Sequence, residues 1–127
     1  MSEKNPQQRN EKLMLDIIRY LQKHDLFYDV LIYINGHRYS SESKNSVEIM
    51  DSGNGPYYDQ GSYDVKDYIE YASPGILTMS FEGPLYEALN YPETKAQYAV
   101  EDDLQNICAK YKLYFEQGYA WSLAVYE

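Results

Sequence analysis

Apolar residues recur at helical spacing between Asn10 and His24. At about 100° per residue, Leu13, Met14, Ile17, Ile18, Tyr20, Leu21 and His24 share one face, with Asp16, Arg19, Gln22 and Lys23 opposite. Leu15 departs from the pattern. The spacing predicts an amphipathic helix over 10–24, preceded by a flexible polar arm over 1–9. A domain then spans 10–127.

The run FYDVLIYI at 27–34 is dense in β-branched and aromatic residues, and Asn35-Gly36 follows at once. Asn-Gly favours a two-residue type I′ hairpin turn, in which both central residues need positive φ. A hairpin over 27–41 follows, with residues 37–41 as the return strand and Val47–Met50 as a third short strand. Residues 52–64, SGNGPYYDQGSYD, are expected to be a glycine-rich loop.

Asp64 is a suitable cap for a short helix over Val65–Tyr71, ended by Ser73-Pro74-Gly75. Ile76–Phe81 has the character of a strand. Gly83-Pro84 opens a helix to about Asn90, with Pro84 suited to its first turn. A longer helix, beginning at Pro92 or Ala99 and reaching Lys112, carries the apolar stripe Val100, Leu104, Ile107, Cys108 and Tyr111. Leu113–Glu116 and Tyr119–Tyr126 close the chain as a second hairpin around Gln117-Gly118. In total the pattern predicts a single α+β domain, an antiparallel sheet of about five strands with hairpins near 27–41 and 113–126, and helices packed on one face.

Charge sharpens this picture. Residues 1–44 have seven Lys/Arg against six Asp/Glu, a balance of +1, whereas residues 45–127 have four Lys/Arg against fourteen Asp/Glu, a balance of −10. The net charge of −9 disfavours direct contact with nucleic acid backbone or anionic membrane, because both repel such a surface. No stretch nears the roughly 18 apolar residues of a membrane span, and the N-terminal run is polar, so a cytoplasmic protein is expected.

Catalytic and metal chemistry find little support. His24, His37 and Cys108 are remote from one another in sequence, and a metal site needs three or four ligands at recognisable spacing. His24 on an apolar helix face and Cys108 within an apolar stripe are expected to be structural. There is no nucleophile elbow and no phosphate-cradling loop. Asp102-Asp103 is explained as charge near a helix N-terminus. No cofactor is implied. Acid–base catalysis by paired Asp/Glu would require one carboxyl titrating near neutrality, which sequence does not reveal.

The sharper signal is the segment containing Tyr57, Tyr58, Asp59, Tyr63, Asp64, Asp67, Tyr68, Glu70 and Tyr71, with Lys66 its sole base. On the expected helix, Asp64, Asp67 and Glu70 form a ridge at three-residue spacing, flanked by Tyr68 and Tyr71. Such a ridge is equally explained as a solvated face over core tyrosines. As a site, it would bind the basic surface of a partner protein, with tyrosines as anchors and carboxylates steering the encounter. Carboxylates spaced about 6 Å apart on a helix, or about 6.6 Å on a strand, also allow imitation of a phosphate repeat of about 6–7 Å.

The runs SFEGPLYEALN at 80–90 and LYFEQGYAWSLAVYE at 113–127 resemble small acidic proteins of bacterial mobile elements and phages, among them anti-restriction and anti-CRISPR inhibitors. That resemblance implies a non-enzymatic inhibitor occupying the nucleic-acid-binding groove of a host-defence enzyme, such as a nuclease effector. The alternative is a small-molecule or carbohydrate-binding module in which Tyr57, Tyr58 and Trp121 stack on the ligand. Edge strands in both hairpins also allow a homodimer.

Overall fold

The chain begins with helix α1, Pro6–Lys23, in a computed structural model that describes residues 5–43, 47–49 and 55–127. Asn5 caps α1, its side chain accepting from the N–H groups of Gln7 and Gln8. Pro6 sits in the first turn, where its missing N–H leaves no helical bond unmade. Residues 6–9 are therefore helical rather than part of a polar arm. Residues 1–4 of that arm lie outside the described residues. The buried stripe is Leu13, Met14, Ile17, Ile18 and Leu21, with Asn10 extending it. His24 caps the C-terminus and is exposed, its ring 4.4 Å from that of Tyr20, so it is not a core residue.

Among the described residues, seven strands form one antiparallel sheet: β1 Val30–Ile34, β2 His37–Ser40, β3 Val47–Ile49, β4 Tyr57–Ser62, β5 Leu77–Phe81, β6 Tyr114–Gln117 and β7 Ser122–Tyr126. Their order is β3-β4-β2-β1-β5-β7-β6. The expected five become seven, and the expected α+β class stands. Asn35 and Gly36 have φ of 52° and 77°, as the type I′ turn between β1 and β2 demands. The main departure is β4, which occupies part of the expected loop at 52–64. Glycine and proline around it masked a strand whose pairings are Tyr39↔Asp59 and Ser40↔Tyr58 to β2, and Glu48↔Tyr58 to β3. Met50 and residues 52–54 are outside the described residues.

Helices α2, Pro84–Asn90, and α3, Lys95–Ala109, follow β5. Thr94 and Gln97 form a reciprocal capping box, which starts α3 between the two expected positions. Helices α1, α2 and α3 join one core with the same side of the sheet. Val30, Ile32 and Ile34 of β1, Leu77, Met79 and Phe81 of β5, and Leu123 and Val125 of β7 supply that side. Each such buried aliphatic side chain contributes about 1.5–3 kcal/mol. Among the described residues, no helix is long and apolar enough to cross a membrane.

The other side of the sheet carries a smaller cluster. Tyr33 packs there against Val65 and Ile69, which belong to a strap over 63–76 that crosses the sheet. The expected helix over 65–71 contracts to a single 3-10 turn at Val65–Asp67. Asp64 does cap it, accepting from the Lys66 N–H at 3.1 Å. Seven residues rich in β-branched and aromatic side chains do not sustain an isolated helix, and burial of Val65 and Ile69 dictates the path instead.

Candidate functional site

Strand alternation places Leu31, Ser40, Ser80 and Ser122 on the sheet side away from the helices. The pairs Leu31↔Ser40, Leu31↔Ser80 and Ser80↔Ser122 set these four residues in one row across β2, β1, β5 and β7. Three of the four are serines, so the sheet surface is low along this row. The strap stops short of it. Over Ser40, Leu31 and Ser80 the result is a groove of ≈ 310 Å³, with the buried Ser122 outside its lining.

At one end of the groove stand Glu42, Asp29 and Glu82, all exposed. They lie just beyond the row, at the ends of β2, β1 and β5. The Glu82 N–H donates to the Asp29 carbonyl at 3.2 Å, which holds these two side by side. Asp29 has φ of 55°, a left-handed conformation that Asp tolerates better than most residues.

Arg38 and Gln60 close the β2–β4 side. The Arg38 Nε donates to Gln60 Oε1 at 2.6 Å. Its guanidinium carbon lies 3.7 Å from the centre of the Tyr63 ring and 5.8 Å from that of Tyr68. Tyr68 in turn packs on Tyr63 at 5.6 Å and on Tyr33 at 6.2 Å. Arg38 pairs with Tyr33, four residues along the chain from Asp29, so their backbones are separated by about 13 Å along the strand direction.

Trp121 forms the β7 side. Its ring stacks on Tyr119 at 5.0 Å and 7°, and Tyr119 contacts Tyr71 at 5.2 Å. The Tyr119 hydroxyl donates to Glu70 Oε2 at 2.7 Å, and that carboxylate holds the Tyr119 phenol above its ordinary pKa. The turn is anchored from below: Asn90 Nδ2 donates to the Ala120 carbonyl at 2.7 Å, and the Tyr119 N–H donates to Ser122 Oγ at 3.0 Å. Tyr71 and Tyr119 thus link the strap to the rim of the groove.

The structure divides the acidic tyrosine segment. Asp64, Asp67, Tyr68, Glu70 and Tyr71 are exposed on the strap. Tyr63 is half-buried beneath Arg38. Tyr57 is only 8% exposed and belongs to the helix-side core. Asp59 is turned toward His37, with Nδ1 to Oδ1 at 3.2 Å, and also accepts from the Gly61 N–H. Tyr58 is half-buried. Membership of β4 is the reason: alternation sends Tyr57 and Asp59 to the side opposite Gln60. The ligand-stacking trio of Tyr57, Tyr58 and Trp121 is likewise broken, because Tyr57 lies across the sheet from Trp121.

Sequence reasoning missed Arg38, Asp29, Glu82, Tyr119 and the serine floor. A trace was present in LTMSF and SLAVY, where small residues alternate with large apolar ones. Among the described residues, no three of His, Cys, Asp and Glu come together closely enough to hold a metal ion. Cys108 is buried, and burial pushes its thiol pKa up to about 11. No protein-family model, curated protein or solved structure gives a significant match to this chain.

Proposed function

We propose that this protein is a non-enzymatic binding protein that docks its tyrosine-rich, acidic sheet side on a basic surface of another protein. The observation supporting this reading is the exposure of Tyr68, Tyr71 and Trp121 among Asp64, Asp67, Glu70 and Glu82. Large aromatic side chains supply contact area with few rotamers to freeze, and carboxylates attract and orient a cationic partner. Burial of Cys108, which raises its thiol pKa, makes it a poor nucleophile and supports a non-enzymatic role. The resemblance of residues 80–90 and 113–127 to mobile-element inhibitors extends the proposal to a nucleic-acid-processing defence enzyme whose basic groove is occupied.

The test is capture of a purified basic nuclease effector by the intact protein at about 50 and about 500 mM salt. Binding weakens at high salt, competes with the effector's nucleic acid, and falls on Tyr68→Ala with Tyr71→Ala. Salt-insensitive capture, or capture indifferent to both substitutions, overturns the reading.

A second reading, a carbohydrate or small-molecule module, is favoured by the parallel Tyr119–Trp121 stack beside a polar floor. It requires a neutral ligand that raises the melting temperature. Unchanged melting across a broad panel of neutral ligands counts against it.

A further inference from the structure

We propose that the serine-floored groove receives an arginine side chain from a basic segment of the partner protein, its guanidinium between Trp121 and the Asp29–Glu82 pair. This rests on the protein-binding reading above and names its point of attachment. Three features select this occupant. Asp29 and Glu82 are exposed at the same end of the groove, with Glu42 at its margin. Among the described residues the one cation lining the groove, Arg38, is held near the strap by Gln60 and the Tyr63 ring. Trp121 presents an indole beside the acidic end, and Tyr119 stacks in parallel with it.

A guanidinium is planar, carries donors in a fixed fork, and stacks on aromatic faces while pairing with carboxylates. A lysine ammonium offers the charge without the plane. A metal ion is a poorer occupant, since the carboxylates do not converge on one point. The floor of Ser40, Leu31 and Ser80 leaves depth for the aliphatic stem, with hydroxyls near the segment's backbone.

The chain has a single tryptophan, so its fluorescence reports on this groove directly. The experiment titrates the intact protein with hexa-arginine, hexa-lysine and maltohexaose. The variants are Asp29→Asn with Glu82→Gln, and, as a control of equal charge on α3, Glu101→Gln with Asp102→Asn. All four positions are exposed, and circular dichroism verifies that both variants fold.

Hexa-arginine changes Trp121 emission and binds at least about fivefold more tightly than hexa-lysine. The groove variant loses about fivefold or more in affinity, and the α3 variant less than about twofold. Equal losses in both variants mean diffuse attraction to an acidic protein and overturn the proposal, as does a response to maltohexaose alone. An effector whose capture needs Tyr68 and Tyr71 but not Asp29 and Glu82 also overturns it, while the protein-binding reading survives.

Discussion

Gln105 on α3 makes two hydrogen bonds to the backbone of Phe115 on the edge strand β6. Its Nε2 donates to the Phe115 carbonyl at 2.8 Å, and its Oε1 accepts from the Phe115 N–H at 3.0 Å. Phe115 lies opposite Val125 of β7, and its polar groups are turned away from that strand. One side-chain amide thus takes the place of a missing neighbouring strand. Open sheet edges invite pairing with another chain, and covering them is a common defence.

Replacing Gln105 by Ala frees both groups. Stability falls by about 1 kcal/mol, and self-association increases as β6 becomes available. Urea denaturation and light scattering after size exclusion check the two effects. A monomer of unchanged stability contradicts the role assigned to Gln105.

Gly118 meets the strap where the groove rim is built. A Cβ added there would lie 2.8 Å from the Tyr71 Cβ, a contact that only backbone movement relieves. Gly118→Ala therefore destabilises by about 1–3 kcal/mol. It also shifts Trp121 emission, because the Tyr71–Tyr119–Trp121 stack cannot keep its spacing. Unchanged emission and melting argue against tight coupling between strap and turn.

Asn10 is 2% exposed and joins three parts of the fold. Its Nδ2 donates to Asn35 Oδ1 at 3.1 Å and to the Gly75 carbonyl at 3.2 Å, while Arg9 donates to its Oδ1. Asn10→Ala removes both hydrogen bonds to the half-buried Asn35 side chain and the Gly75 carbonyl, at about 1 kcal/mol. Asn10→Asp is worse at neutral pH, because a carboxylate then faces two acceptor oxygens. The order wild type, Ala, Asp in denaturation midpoints is the expected result.

Tyr39 packs beside the core, and burial, with the Asp59 charge next in importance, raises its pKa to about 12. Tyr20 is shifted the same way by burial and by its hydrogen bond to Asp103. Raised folded-state values mean that these phenols contribute full stability below their unfolded pKa of about 10. That contribution is lost as pH climbs from about 10 through about 12. Denaturation midpoints therefore decline over this window in wild type, and less steeply in Tyr39→Phe. Parallel pH profiles for the two proteins would remove Tyr39 from the linkage.

The order of helices and strands was largely legible, because α1, β1, β2, α2 and β5 obey local rules. A stripe such as Leu13–Ile17–Leu21, an Asn-Gly turn or a Gly-Pro helix start acts within a few residues. The strand β4 was not legible, since its pairings with β2 and β3 outweigh glycine and proline flanks that otherwise signal a loop. The 3-10 turn at Val65–Asp67 was misread as a helix for a related reason: packing of Val65 and Ile69 on Tyr33 sets the path of the strap.

By itself, the chain's order of residues determined the class of fold, the acidic bias of residues 45–127 and the solvated character of Asp64, Asp67 and Glu70, while exposure of Tyr68 and Tyr71 was settled by packing. Only the tertiary structure decided which acids and rings share a surface. It withdrew Tyr57 and Asp59 to the opposite side and joined Asp29, Glu82, Arg38 and Trp121, far apart in sequence, around one groove. The physical reason is that strand pairing sets facing by a period of two and a register between distant segments. Side-chain chemistry is local, whereas the neighbours it meets are chosen by that register.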